Sequence, residues 1–130
     1  MAEAMLTHKL GQAQSACEVR SAGLGAVVGA PADPAAVRLM AGHGLDITGH
    51  RGRQLDAALL DWAELVLTMD SPQSALLLRQ YPTARGKVFR LGHWEGFDVA
   101  DPYGGPEESF RLALNLISLG VEHWTEKLLQ

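Results

Sequence analysis

The stretch 98-DVADPYGG-105 places an aspartate, a proline and a tyrosine in succession within a glycine-rich segment. Proline restricts the backbone next to Asp101, and the two glycines after Tyr103 favour a turn. A carboxyl group fixed on an exposed loop can serve as a general acid, which protonates a leaving group as its bond breaks. The residues therefore indicate either acid catalysis at Asp101 or an ordinary turn aspartate before a proline.

A general acid needs a nucleophile to serve, and the single cysteine of the chain, Cys17, is a poor candidate. It lies in 17-CEVRS-21, a segment that we predict to be a short strand. A free cysteine is more often a small buried hydrophobic residue than a nucleophile. One thiol also excludes an internal disulfide and a cysteine-rich zinc site, and the five scattered histidines predict no metal site.

Composition predicts one globular domain over residues 1–130, with 47% hydrophobic residues and a formal net charge of −4. The acidic balance and the lack of a basic run argue against a nucleic-acid partner. No apolar run reaches the roughly 20 residues that span a bilayer, and the segment 1-MAEAMLTHKL-10 does not resemble a signal peptide. We therefore expect a cytoplasmic protein without membrane insertion.

The elements in the first half of the chain are mainly helices. Asp33 with Pro34 is a strong helix start, because aspartate caps free N–H groups and proline fits the first turn. Glycine at 42 or 44 ends that helix. The pattern predicts a helix from residue 1 to about residue 14, a strand at 17–21, a helix at 34–42, a connector at 45–56 and a short helix at 57–62.

The second half alternates short apolar strands with helices. The run 65-LVLTM-69 predicts a buried strand, and Asp70 caps the helix that follows. A further strand lies within 86-GKVFRLG-92, and the last helix starts after Pro106. Its apolar residues recur at helical spacing: Phe110, Leu114, Ile117, Val121, Trp124 and Leu128.

Strands that alternate with helices predict an α/β fold with a parallel sheet. Ligands bind beyond the carboxyl ends of the strands in such sheets. The loops after Ser21, Met69 and Leu91 would share that edge, and Asp101 follows the last of them.

Five segments in the same order and spacing resemble the low-molecular-weight protein tyrosine phosphatases over essentially the whole chain. The resemblance is greatest to the bacterial branch associated with capsule and exopolysaccharide export. The segments are 20-RSAGLGAVVGAPADP-34, 49-GHRGRQL-55, 65-LVLTMD-70, 84-ARGKVFRLGHW-94 and 101-DPYGG-105.

This resemblance implies a three-layer α/β sandwich and a mechanism without a cofactor. Family members attack phosphotyrosine with a cysteine thiolate in a C-x5-R-S loop that cradles the phosphate. By the resemblance, Asp101 is the general acid and Tyr103 forms a wall of the substrate cleft. The expected partner is a phosphotyrosine protein, such as a bacterial tyrosine autokinase.

Three more residues match family positions. Ser21 and His50 correspond to residues that brace the cysteine loop by hydrogen bonding; the alternative is a turn serine and a loop histidine. Val27 falls where the family has a variable wall of the cleft. The resemblance assigns all three to the surroundings of the phosphate site.

The chain departs from the family at its start, because 1-MAEA-4 corresponds to the helix that follows the cysteine loop. The nucleophile, the phosphate-binding arginine and the first, central strand are then missing from the chain. We expect a start codon assigned too late, and no activity from these residues alone. Two alternatives remain: an inactive phosphatase-like remnant or phosphoprotein-binding module, and an arsenate reductase, which would need more cysteines.

Overall fold

The computed structural model describes residues 1–129, and these form five α-helices, one 3-10 helix and two β-strands. Helices and strands alternate in the second half of the chain, as the hydrophobic pattern predicts. In chain order the elements are α1 (Ala2–Gln12), α2 (Pro34–Gly42), α3 (Ala57–Trp62), β1 (Val66–Thr68), α4 (Ser71–Gln80), the 3-10 helix (Pro82–Ala84), β2 (Val88–Arg90) and α5 (Glu107–Leu128).

The two strands form a small parallel sheet, which confirms the predicted α/β class. Val66 pairs with Val88, and Thr68 pairs with Arg90. Both carboxyl ends therefore lie at one edge of the sheet. Val66 and Leu67 are half-buried rather than buried, because within residues 1–129 β1 has a strand on one side only.

The prediction of a strand at residues 17–21 is wrong. These residues adopt no regular structure, and an extended segment becomes a strand only when its backbone pairs with a neighbour. The nearest sheet-like contact is an isolated parallel bridge between Gly23 and Gln54. The N–H of Gly23 donates to the Arg53 carbonyl at 2.8 Å, so this bridge ties the end of the segment to the connector before α3.

Helix starts follow the predicted caps. The Asp33 carboxylate accepts from the Ala35 N–H at 2.8 Å, and the Asp70 carboxylate accepts from the Gln73 N–H at 2.8 Å. Helix α1 ends two residues earlier than predicted, because Gln14 adopts a left-handed backbone (φ 57°) that a right-handed helix cannot contain.

Helix α5 supplies the core that the other elements pack against. Its predicted apolar residues are buried except Leu128, which is half-buried. The indole N–H of Trp124 donates to the Leu91 carbonyl at 3.0 Å, which anchors the end of β2 to the helix. Within residues 1–129 no helix is long and apolar enough to cross a membrane.

Candidate active site

The loop that carries Asp101 is a tight turn that follows β2 and leads into α5. The backbone N–H of Tyr103 donates to Oδ1 of Asp101 at 3.0 Å. The N–H of Gly105 donates to the Pro102 carbonyl at 2.9 Å, and Gly104 has φ 76°, a conformation that side chains disfavour. Proline and glycine therefore build a turn in which the aspartate caps the backbone that follows it.

Asp101 and Tyr103 stand at an open groove between this loop and helix α5. Tyr103 is 82% exposed, and Asp101 is exposed as well. The groove has a volume of about 510 Å³, and its lining is mainly apolar, with two carboxylates, Ser109 and Asn115 among its polar groups. Among its lining residues are Asp98, Asp101, Pro102, Tyr103, Leu112 and Leu116. An exposed carboxyl beside an aromatic ring suits proton transfer to an aryl leaving group.

The start of the loop is fixed at the carboxyl edge of the sheet. The buried Val99 donates its N–H to the Met69 carbonyl at 2.8 Å, directly after β1. The Arg90 guanidinium donates to Oδ1 of Asp98 at 2.9 Å. This hydrogen bond, with a further one from Ser71, holds the pKa of Asp98 below its ordinary value.

Ser21 and His50, predicted to act together, converge on one acidic residue. The Ser21 hydroxyl donates to Oε2 of Glu3 at 2.7 Å, and Nδ1 of His50 lies 3.4 Å from the same oxygen. Glu3 belongs to the first turn of α1, where a carboxylate is favoured by the helix dipole. Sequence reasoning missed Glu3, although an acidic residue in a first helical turn was the available signal.

Val27 lies on a separate loop from Asp101 and is 76% exposed. Its carbonyl accepts from the Ala30 N–H at 3.2 Å, and the Gly29 N–H donates to the Gly52 carbonyl at 2.9 Å. These bonds hold the Val27 loop against the connector before α3. The structure thus presents Val27 to solvent without placing it in the groove beside Tyr103.

Cys17 is exposed and lies on a segment without regular secondary structure. The guanidinium of Arg20, the arginine nearest to it in sequence, lies 4.2 Å from the centre of the Trp62 ring and also contacts Glu18. Among residues 1–129 no group of three or more His, Cys, Asp or Glu is arranged to hold a metal ion.

Comparison with known proteins places this chain in a family. The family model described as "Low molecular weight phosphotyrosine protein phosphatase" matches residues 1–130. The chain belongs to this family. Its relatives include a "Probable low molecular weight protein-tyrosine-phosphatase EpsP" from Ralstonia nicotianae, which is 44% identical over 128 residues, covering 98% of this chain and 86% of the relative.

Solved structures of family members have the same fold. The tyrosine phosphatase Wzb from Escherichia coli K30, in complex with sulphate, superimposes with a TM-score of 0.90 at 34% identity, over 98% of this chain and 87% of that one. The YwlE arginine phosphatase from Geobacillus stearothermophilus gives a TM-score of 0.89 at 32% identity, over 98% and 82% of the two chains. The family fold therefore occurs in phosphatases of two substrate classes.

Proposed function

We propose that the protein is a phosphotyrosine protein phosphatase in which Asp101 is the general acid. The observation that carries this proposal is the position of Asp101, exposed beside Tyr103 in a tight turn after β2, in a chain of the phosphatase family. An exposed carboxyl and an aromatic side chain at one groove suit a phosphorylated phenol. The tyrosine phosphatases among its relatives support that substrate class.

The proposed reaction has two phosphoryl transfers. A cysteine thiolate attacks phosphorus, the bond from phosphorus to the tyrosine oxygen breaks, and Asp101 gives its proton to that oxygen. Water then attacks the phosphocysteine, the Asp101 carboxylate accepts a proton from this water, and the sulfur–phosphorus bond breaks, which releases inorganic phosphate and regenerates the thiolate. Tyr103 would line one side of the substrate ring, and Val27 would contact more distant parts of the substrate.

We propose that residues 1–130 do not perform this reaction by themselves. They contain one cysteine, Cys17, and no C-x5-R-S segment. Cys17 is exposed on an irregular segment, and Arg20 stacks on Trp62. Turnover would then require a cysteine loop in addition to these residues, and Ser21, His50 and Glu3 would brace that loop.

We propose one domain with a three-layer sandwich, in which a further strand pairs with β1 and with residues 17–21. The half-buried side chains of β1 and the unpaired state of 17–21 support a strand between them. This strand would lead directly into the cysteine loop, at the edge where Val99 and Arg90 hold the acid loop.

The physiological setting is part of the proposal. We propose a cytoplasmic protein that needs no cofactor and acts on a phosphotyrosine protein, such as the tyrosine autokinase of an exopolysaccharide export system. The second candidate is a phosphatase-like chain that binds phosphoproteins without hydrolysing them. The absence of a C-x5-R-S segment in residues 1–130 favours that candidate, while the Asp101 loop favours the enzyme, since binding needs no proton donor.

The test uses an extended chain, defined as residues 1–130 preceded by a strand and a C-x5-R-S loop taken from a relative. Phosphate release is measured on matched peptides that carry phosphotyrosine, phosphoserine or phosphoarginine. The proposal predicts hydrolysis of the phosphotyrosine peptide with a clear preference over the other two. Preference for phosphoarginine would assign the other substrate class, and binding of phosphotyrosine peptide without hydrolysis would favour the binding module.

A further inference from the structure

The first residues of the acid loop are held from two sides by a small polar cluster. One nitrogen of Arg90, Nη1, donates to Oδ1 of Asp98 at 2.9 Å and to the Phe97 carbonyl at 3.3 Å. The Ser71 hydroxyl donates to the same Asp98 oxygen at 3.3 Å. We call Arg90, Asp98 and Ser71 the loop clamp.

The loop clamp joins the acid loop to both strands of the sheet. Arg90 is the last residue of β2, and Ser71 is the first residue of α4, directly after β1. The Val99 N–H adds a backbone bond to the Met69 carbonyl at 2.8 Å, on the same side. Residues 97–99 are thus fixed at the carboxyl edge, where parallel sheets bind their ligands.

Beyond Val99 the loop is held mainly by itself. Asp101 bonds to the Tyr103 N–H, and Pro102 bonds to the Gly105 N–H, both within the same turn. Tyr103 is 82% exposed, so its ring does not anchor the loop in the core. The direction in which this turn leaves the sheet is therefore set by residues 97–99.

We propose that Arg90 and Asp98 are positioning residues that set the place of the general acid, an inference that rests on the proposed role of Asp101. The ion pair is partly exposed, with 29% of the Arg90 side chain and 42% of the Asp98 side chain accessible, so its contribution to stability is small. Its effect is on geometry, because displacing a reacting group by about 1 Å can cost about 100-fold in rate.

A charged pair suits this role at neutral pH. The Arg90 hydrogen bond lowers the pKa of Asp98, so its carboxylate stays ionised and continues to accept from Arg90 and Ser71. The competing interpretation is that Arg90 contacts the substrate directly, for example an acidic peptide residue. In that case loss of Arg90 would weaken binding and leave proton transfer unchanged.

The first test uses residues 1–130 and needs no activity. Amide hydrogen exchange of Val99 is measured in Arg90→Leu and Asp98→Ala, with Arg38→Leu as the control because Arg38 forms a comparable exposed ion pair with Glu107 at 3.3 Å. The proposal predicts faster exchange at Val99 in the two clamp variants and wild-type exchange in the control. Unchanged exchange at Val99 would overturn the clamp, whatever the chemistry of the site.

The second test uses the extended chain and two substrates that differ in leaving group. Phosphotyrosine peptide needs its leaving oxygen protonated, while p-nitrophenyl phosphate needs this much less. The first phosphoryl transfer, in which the leaving groups differ, determines kcat/KM. The proposal predicts that Arg90→Leu lowers kcat/KM for the phosphotyrosine peptide by about 10-fold, with a smaller loss for p-nitrophenyl phosphate. Arg90→Lys should recover part of the rate, because it keeps one charged donor toward Asp98.

Asp101→Asn serves as the reference variant, and it separates the proposed acid role of Asp101 from the proposed positioning role of Arg90 and Asp98. With the acid removed, adding Arg90→Leu should cause no further loss. An equal loss of kcat/KM on both substrates, or a further loss when Arg90→Leu is added to Asp101→Asn, would overturn the positioning role. If Asp101→Asn lowers kcat/KM equally for the two substrates, the assignment of Asp101 as the acid is wrong. The positioning role of Arg90 and Asp98 is then wrong as well.

Discussion

Asp101 and Tyr103 are joined by a hydrogen bond from the Tyr103 backbone N–H to Oδ1 of Asp101, at 3.0 Å. This bond occupies one carboxylate oxygen and orients the group on its turn. The other oxygen, Oδ2, takes part in none of the hydrogen bonds formed among residues 1–129. This arrangement supports the proposed role of Asp101, because a positioned general acid needs one oxygen for proton transfer and can use the other for orientation.

Replacing Asp101 by asparagine should slow the extended chain on phosphotyrosine peptide by about 10²–10⁴-fold, the usual contribution of a positioned acid. The amide keeps the oxygen that accepts from Tyr103 but cannot supply a proton. Steady-state kinetics on the two proteins measure the effect. Asp61→Asn, on the exposed side of α3, is the matched control and should retain the wild-type rate. Equal rates for Asp101→Asn and wild type would mean that another group is the acid.

Replacing Tyr103 by alanine should raise KM for aryl phosphates, with a smaller effect on kcat. An aromatic contact contributes about 0.5–1.5 kcal/mol beyond its buried area, which corresponds to a change of about 2- to 12-fold. Tyr103→Phe retains the ring and should behave as wild type. A wild-type KM in the alanine variant would show that Tyr103 does not line the substrate cleft.

Helix α5 gives a prediction on stability that is independent of catalysis. Leu114 is 3% exposed in the main core, whereas Leu119 on the same helix is 38% exposed. Leu114→Ala should lower the free energy of unfolding by about 2–5 kcal/mol, because it leaves a cavity. Leu119→Ala should change it by only about 0.5 kcal/mol. Urea denaturation of both variants measures the difference. Similar losses of unfolding free energy in the two variants would contradict the assignment of Leu114 to the buried face of α5.

The helices were predictable from the sequence because their signals are local. Asp33 and Asp70 each cap a helix start within three residues, and the apolar spacing of α5 fixes its buried face. The strand at 17–21 was predicted wrongly, since a strand depends on a pairing partner that no local pattern shows.

The candidate site likewise contains residues of one local motif, which were predictable, and contacts between distant residues, which were not. Asp101 and Tyr103 lie in one short motif, so their neighbourhood was predictable. Glu3 binds Ser21 across 18 positions, and Ser71 reaches Asp98 across 27, so these contacts depend on the completed fold. An arginine in the otherwise apolar strand β2 was the one available signal of the loop clamp.

The loop clamp also predicts a dependence on pH. The Arg90 hydrogen bond lowers the pKa of Asp98 in the folded protein, so the clamp is fully formed above the ordinary aspartate pKa of about 3.9. Its contribution is lost as the pH falls below that value and through the folded pKa. The protection factor of the Val99 amide, which removes the intrinsic pH dependence of exchange, should fall more steeply in wild type than in Asp98→Asn when it is measured in residues 1–130 from about pH 5 downward. Identical profiles would show that Asp98 does not control the start of the loop.

The most direct test of the whole account is phosphate release from a phosphotyrosine peptide by residues 1–130 and by the extended chain, assayed side by side. The account predicts no release above buffer from residues 1–130. It predicts steady turnover by the extended chain, which is lost when the cysteine of its C-x5-R-S loop is replaced by serine. Turnover by residues 1–130 that Cys17→Ser abolishes would contradict the account.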